Sequence, residues 1–425
     1  MRIAVLAHSF PRFPGDTHGP FVKHLAEAVA RRGHQVFALV PFDPELRPDP
    51  ETPLAIASFR YVRPDRWHRL GYSRTLHRDL GMKLGAWLQS PLYFLFAERA
   101  LGRLVRRQRI DLVHAHWILP NGYVASRVAT ATGVPYAITL HGSDVFMAER
   151  NPLFRTIAQQ ALASATHVTS CSAELRDWLL ALGGAEHAAK VVVVPNGTDL
   201  AAGSPAAGDG ISAGGEGAAS AAAALRARLG IAPDARLVAA VGRLVDKKGF
   251  RHLLDAAPAI LAAFPAARIV LGGGGDLRGE LEEQARRLGV ADAVTFTGGL
   301  AHPEVLALVA AAELFVMPSV RDARGNVDGL PIVVLEAMAA GRPVVATAIS
   351  GLLLAVADGL TGRLVLERDP AALAVAVIDL LGDPERARCL GEAGRRRVRD
   401  ELNWDAVAAI HDRLYWQARG EAFAG

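Results

Sequence analysis

Short, wholly apolar runs alternate along this chain with longer stretches whose apolar residues recur at helical spacing. Ile3 to Ala7, Gln35 to Val40, Ile110 to Ala115, Pro135 to Leu140, His167 to Cys171 and Val191 to Val194 each read as a buried strand. The rhythm then restarts with Leu237 to Val241, Arg268 to Leu271, Val294 to Thr297, Glu313 to Met317, Val344 to Ala346 and Arg363 to Leu366. Helices lie between them. Gly19-Pro20 opens one that closes at Arg32-Gly33-His34, a second follows Lys248-Gly249, and a third runs from Pro331 to Ala340, stopped by Gly341-Arg-Pro343. Alternation of this kind predicts an α/β fold with doubly wound parallel sheets. Its restart predicts two Rossmann-like domains facing a cleft, with ligands beyond the carboxyl ends of the strands.

Four segments depart from that rhythm. Asp43 to Gly81 is rich in Pro and Arg and reads as irregular. Lys83 to Gln108 is helical in pattern but interrupted at Pro91. Residues 201–224 are nearly all Ala, Gly and Ser, and Ile211 is the single large apolar residue before Leu225. Such a stretch cannot bury enough surface to order itself, so it reads as a flexible insertion at the domain junction, its closing Ala run leading into the helix before Leu229-Gly230. A last helix runs from about Asn403 to Ala418.

Composition narrows the picture. A chain of 425 residues exceeds one typical core, which favours two or three domains. No stretch of about eighteen apolar residues occurs, so no membrane-spanning helix is expected. Met1 to Ala7 reads as a first strand and not a signal peptide, and two cysteines fit a reducing cytoplasm. The net charge of +4 hides an asymmetry: residues 60–109 hold eleven Arg and one Lys against three acids, a net of +9, with seven aromatics interleaved. That window suits an anionic membrane surface, with the protein peripheral at its inner face, and equally suits solvated helix faces over core aromatics. No nucleic-acid-binding motif appears, so nucleic acid is not an expected partner.

The candidate chemistry centres on Asp328-Gly-Leu-Pro-Ile-Val-Val-Leu-Glu336. Pro331 suits the first turn of a helix, whose free amides can hold an anion. Glu336 lies inside an otherwise apolar helix, where a carboxylate is costly without a polar partner. Gly242-Arg243-Leu-Val-Asp-Lys-Lys248-Gly249 follows a buried strand and offers a planar guanidinium and a compact ammonium to a phosphate. Gly19-Pro20 repeats the loop-then-Pro device. His141-Gly-Ser-Asp144 ends another strand, and Gly272 to Gly275 is a glycine run after a third. His114 and His116 resemble metal ligands in spacing, but no third ligand accompanies them, so no metal is expected.

These runs, with Ala-Met-Ala-Ala-Gly341-Arg-Pro-Val-Val after Glu336, resemble the family 4 retaining glycosyltransferases of the GT-B fold (group 1 glycosyl transferases), with bacterial exopolysaccharide and glycolipid members in mind. The resemblance implies an acceptor-side domain at 1–195, a nucleotide-sugar domain at 196–398, and a helix at 399–425 crossing back to the first. It implies transfer of a sugar from a nucleoside-diphosphate sugar to a hydroxyl of a saccharide or lipid-linked acceptor, without a metal or other cofactor. His141, Arg243, Lys248 and Asp328 would act in catalysis. Gly19, Gly242, Gly273, Gly275, Gly298, Gly329, Leu330, Pro331 and Glu336 would bind the donor, Glu336 through the ribose hydroxyls. His-Ala-His116-Trp117 would line the acceptor side. The sequence departs from the family at two acids: Asp328 stands where Glu is usual, and Leu354 where a Glu is usual after Ser350-Gly351. A binding-only relative weakened by those changes is the alternative. A dinucleotide-dependent oxidoreductase would need Gly-x-Gly-x-x-Gly after the first strand, and Ala7-His-Ser-Phe-Pro-Arg12 lacks it.

Overall fold

The computed structural model describes residues 1–421 apart from 69, 73–75, 78–80, 83, 143–144, 146–147, 150 and 201–215. The chain divides into two compact units, one formed by Met1–Pro195 with Trp404–Gly425, the other by Asn196–Asn403.

The first unit holds a seven-stranded parallel sheet. Its strands are β1 (Arg2–Leu6), β2 (Gln35–Pro41), β3 (Ala55–Phe59), β4 (Leu112–His116), β5 (Tyr136–Leu140), β6 (His167–Ser170) and β7 (Val191–Val193), in the order β3-β2-β1-β4-β5-β6-β7. Strand order reverses between β1 and β4, so the loops after those strands open on the crevice where such sheets bind ligands. The helices are α1 (Pro20–Arg31), α2 (Leu84–Gln108), α3 (Tyr123–Thr132), α4 (Pro152–Ser164) and α5 (Ala173–Gly183). The core joins Leu6, Val113 and Ile138 of the sheet to Ala97 and Leu101 of α2 and Leu162 of α4. The strand β3 lies within the segment expected to be irregular. It is an edge strand with four of its five residues at least partly exposed, and its short run Ala-Ile-Ala-Ser-Phe59 is set among prolines and charged residues that mask it. The helix α2 also differs from expectation, running unbroken through Pro91. Pro91 is exposed, so water can meet the carbonyl that its ring leaves without a donor.

The second unit holds six parallel strands: β8 (Leu237–Val241), β9 (Arg268–Gly272), β10 (Val294–Gly298), β11 (Leu314–Met317), β12 (Val344–Thr347) and β13 (Arg363–Val365), in the order β10-β9-β8-β11-β12-β13. Here the order reverses between β8 and β11. Its helices are α6 (Glu216–Arg228), α7 (Phe250–Ala263), α8 (Arg278–Arg287), α9 (His302–Ala311), α10 (Ile332–Ala339), α11 (Leu352–Ala355), α12 (Pro370–Gly382) and α13 (Pro384–Glu401). The helix α6 takes up the closing Ala run of the 201–224 insertion, as expected, but starts earlier in it, so the flexible reading does not extend past Glu216. From Glu216 the chain is helical, Ala222 and Leu225 are buried, and the Arg226 guanidinium donates to the Ala311 carbonyl at 2.9 Å and pairs with Glu313 at 2.8 Å. A run of alanines needs little side-chain burial to stay helical once its end is anchored. The remainder of that insertion, 201–215, lies outside the described residues.

The last helix, α14 (Trp404–Ala418), belongs to the first unit and packs on α1. Asp412 is buried and accepts from Arg32 at 2.8 Å and from His34 at 2.9 Å, while Arg31 reaches Asp405 at 2.9 Å. Trp404 stacks on His24. Among the described residues no helix is long and apolar enough to cross a membrane.

Candidate functional site

In the second unit the loops after β8 and β11 bring three charged groups together at the reversal point. After β8, Asp246–Lys248 forms one turn of 3-10 helix, which aims two adjacent lysines the same way. After β11, a long loop carries Asp328 to the start of α10. Lys248 Nζ lies 2.7 Å from one Asp328 oxygen and Lys247 Nζ 3.2 Å from the other. All three side chains are largely buried. Burial pushes the Asp328 carboxyl up, but the charges of Lys248 and then Lys247 outweigh it and hold the acid well below the usual carboxylate range. The cluster is therefore an ionised acid bridging two cations, with one positive charge left over. Of the expected pair of phosphate-holding cations, Lys248 is in this cluster and Arg243 is exposed. Lys247 was missed; only its adjacency to Lys248 in a tight turn hinted that both reach one carboxylate.

The glycines explain how these loops come so close. Gly273 has φ 133°, and a Cβ there would sit 2.0 Å from the Gly242 carbonyl oxygen. Gly242 and Leu244 donate to the Gly272 and Gly274 carbonyls, each at 2.9 Å, and Gly273 donates to Gly298 at 2.8 Å. A Cβ at Gly275 would likewise meet the Leu244 carbonyl, at 2.4 Å. Gly242, Gly273, Gly275 and Gly298 thus zip three strand-end loops together at the carboxyl edge of the sheet.

The start of α10 is pinned from behind. The Gly329 carbonyl accepts from Gly351 N at 2.7 Å and from Ser350 Oγ at 3.1 Å, and the Leu330 carbonyl accepts from Asn196 Nδ2 at 3.2 Å. Pro331, the expected first helical residue, is the capping residue, so the helix starts one position later, at Ile332. The polar partner that buried Glu336 requires is His302, at the first position of α9, whose Nε2 lies 2.8 Å from the carboxylate. That hydrogen bond raises the His302 pKa. His302 was not singled out by sequence, since the two residues are joined only by the packing of α9 beside α10. At the position of the missing family acid, the Leu354 carbonyl accepts from Arg397 at 2.8 Å.

In the first unit the residues after β1, β4 and β5 gather rings. His141, after β5, lies with its Nε2 3.0 Å from His116 Nδ1, and its ring packs on Phe21 and Trp117 at centroid distances of 4.7 and 4.5 Å. His8 packs on Trp117 at 4.2 Å. Burial lowers the pKa of His8 to about 4 and carries His116 and His141 well below their ordinary value, so these rings are neutral near pH 7. Asp144 lies outside the described residues. Gly19 caps α1 with φ 63°, and a Cβ there would sit 2.6 Å from the Ser9 carbonyl oxygen. Arg12 in the same loop is committed to Asp16 at 2.6 Å and to Glu45, so it braces the loop. Among the described residues no three His, Cys, Asp or Glu side chains are grouped to hold a metal ion.

Comparison with known proteins places this geometry. Residues 222–397 match the model of the glycosyl transferases group 1, and residues 19–202 match that of glycosyltransferase family 4. The chain is 29% identical over 435 residues to the glycogen synthase of Mycobacterium tuberculosis, covering 99% of this chain and 96% of that protein. It is 33% identical over 325 residues to the D-inositol 3-phosphate glycosyltransferase of Streptomyces coelicolor, covering 72% and 69%. Its fold matches the sucrose-phosphate synthase of Thermosynechococcus elongatus with a TM-score of 0.75 at 25% identity over 98% of each chain. Two parallel-sheet Rossmann-like domains of the GT-B kind, read with these relatives, make the chain a member of the group 1, family 4 glycosyltransferases.

Proposed function

We propose that the protein moves a sugar, with retention of configuration, from a nucleoside-diphosphate sugar to a hydroxyl of a saccharide or lipid-linked acceptor, in the making of cell-surface polysaccharide or glycolipid. The observation that carries this reading is the pair of ammonium groups held on Asp328 at the reversal point of the second sheet, eight residues before Glu336. In such a transfer the bond from the anomeric carbon to the phosphate oxygen breaks, and its electron pair stays on the departing diphosphate. The acceptor oxygen bonds to the same face of the sugar, and its proton passes to a phosphate oxygen. What the protein must supply is positive charge fixed in place before the reaction begins.

Lys247 and Lys248 fit that need. Asp328 holds both ammoniums in position in the absence of a ligand and offsets part of their burial. The net positive charge of this cluster, with Arg243 and the free amides at the start of α10, matches a departing diphosphate without calling on a metal. Glu336 accepts from the ribose hydroxyls, and His141 lies against the transferred sugar. The test is thermal shift with UDP, GDP and ADP and with their hexose conjugates, followed by turnover in chelator. One base series should raise the melting temperature, and chelator should leave turnover unchanged. No shift with any nucleotide, or turnover that collapses in chelator and returns with magnesium, contradicts the reading.

The lipid side of the proposal rests on α2. Leu88, Leu92 and Leu95 are 73%, 40% and 42% exposed, and they share a helical face with the exposed Arg99, Arg103 and Arg106. Leucines followed by arginines along one face suit an anionic membrane surface. Pelleting with anionic vesicles should weaken in salt and in Leu92→Glu/Leu95→Glu. Equal pelleting of the double variant removes α2 from the membrane contact.

A further inference from the structure

His116 is buried, lies at the end of β4, and touches no solvent. We propose that it is a positioning residue: it fixes the ring of His141 in the tautomer that carries its hydrogen on Nδ1. His141 then meets the donor as a neutral hydrogen-bond donor and not as a base. The proposal rests on the reading of His141 as a donor-site residue.

The two rings stack nearly parallel, 14° apart, with His116 Nδ1 and His141 Nε2 3.0 Å from each other. Between two neutral imidazoles only one of those nitrogens carries a hydrogen, so there are two arrangements. If His141 donates, His116 accepts on Nδ1 and must carry its hydrogen on Nε2. Among the described residues that nitrogen is buried without a hydrogen-bond partner. An orphaned N–H in the interior is the rarer and costlier defect. If His116 donates, its Nε2 holds only a lone pair, and His141 is left with its hydrogen on Nδ1. The second arrangement has the smaller penalty.

The surroundings keep His116 from turning to escape that choice. Its ring packs on His114 at 4.3 Å. His114 is fixed at both nitrogens, by Thr139 Oγ1 at 2.7 Å and by the Tyr415 hydroxyl of α14 at 2.8 Å. Thr139 in turn shares a 2.6 Å hydrogen bond with Thr169 on β6. His411 of α14 closes the other side of His114, with ring centroids 5.3 Å apart. Asn121 donates to the His116 carbonyl at 2.8 Å. The last helix of the chain therefore buttresses, through His114, the ring that sets His141.

Full-length protein carrying 15N-labelled histidine reports the tautomer directly through two-bond nitrogen–proton correlations. Wild type should show His141 with hydrogen on Nδ1. His116→Asn puts an amide N–H where Nδ1 stood and should keep both the tautomer and turnover within about threefold. His116→Leu removes the donor. Its His141 should pass to a tautomer mixture and kcat should fall about tenfold, with the donor KM within about twofold and an unchanged melting temperature. Hydrogen on Nε2 of His141 in wild type overturns the proposal, and that spectrum decides even if the leucine variant does not fold. An unmoved tautomer in His116→Leu, with turnover lost in His141→Ala, overturns it alone. Wild-type turnover in His141→Ala instead overturns the reading of His141 beneath it.

Discussion

The two sheets answer the same problem, polar side chains at a buried carboxyl edge, in opposite ways. The first sheet uses rings that stay neutral. His8, His114, His116, His141 and His411 all have pKa values lowered first by burial; the last four hydrogen-bond or pack among themselves and with Tyr415, while His8 packs on Trp117. The second sheet uses charges that cancel in part, Lys247 and Lys248 on Asp328. A neutral network can be satisfied group by group and tolerates a ligand of either polarity. A charged cluster with an excess cation is committed in advance to an anion, at the cost of depending on every member. The difference places the clustered charge in the second unit and the neutral rings in the first.

Removing the shared acid breaks this contrast most severely. Asp328→Ala leaves two ammonium groups without their counter-charge in a largely buried position, so they part. We expect turnover to fall about 1,000-fold, close to 4 kcal/mol in the barrier. Asp328→Glu, the family's usual residue, should stay within about tenfold of wild type, because a loop absorbs one added methylene. Asp328→Asn separates charge from shape and should behave as the alanine variant does. Near-normal turnover in Asp328→Asn would falsify the charge argument.

The lysines come next. Lys248→Ala should lower turnover about 100-fold, the usual effect of losing one fixed donor. Lys247→Ala, whose contact is longer, should cost about tenfold. The double variant should lose less than the product, because both act on one carboxylate and one ligand. Strict additivity, measured as kcat/KM in the three variants, shows that the two lysines serve separate groups.

Acid separates the two units more gently. His8 and His411 titrate near 4 in the folded state against an ordinary 6.5, so between those values the unfolded chain binds protons that the folded chain refuses. The first unit must therefore lose stability as pH falls from about 6.5 to about 4, by at most about 3 kcal/mol for each of these histidines. Asp328 has the same sign in a more acid window: its depressed pKa gives stability that is fully present above the ordinary carboxylate value and lost only in stronger acid. In the second unit His302 is raised, so its bond to Glu336 is kept as pH falls and weakened as pH rises through its folded pKa. Amide hydrogen exchange at pH 7 and pH 5 should show protection lost in β4 and β5 before β8 and β11. Equal loss in both sheets breaks the comparison.

The same contrast explains what the sequence made legible. The strands were readable because both sheets are parallel and covered, which leaves continuous apolar runs. The exception, β3, sits at an edge with four of its five residues at least partly exposed, in a stretch rich in Pro and charge. In the second unit the acid and the buried Glu336 lie on one contiguous stretch, and Lys248 stands in a short loop after a strand, so local reading reached them. Lys247 was passed over because a sequence does not say which of two neighbouring cations faces the acid. His302 and Glu336 are 34 residues apart, and nothing but tertiary packing joins them. The ring network of the first unit draws on β1, β4, β5 and α14, so no local window contains it. His114 and His116 were visible as a pair, while their partners Thr139 and Tyr415 were not.

The smallest effect is expected at the segment that joins the two solutions. If each unit carries its own core, the Ala-, Gly- and Ser-rich 201–215 contributes neither to the neutral network nor to the charged one. Replacing it with a short Gly-Ser linker should change the melting temperature by no more than about 2 °C and leave turnover within about twofold, since shortening a loop alters closure entropy only slowly with length. The boundary of that tolerance is set by α6. Leu225 is buried, and Arg226 ties the helix to Ala311 and Glu313 just before β11, beside the strand whose loop carries Asp328. Deletion extended through 228 should therefore destabilise the second unit while sparing the first. Hydrogen exchange resolved by unit reads this directly. If the shorter replacement already exposes β11, the segment is part of the second core.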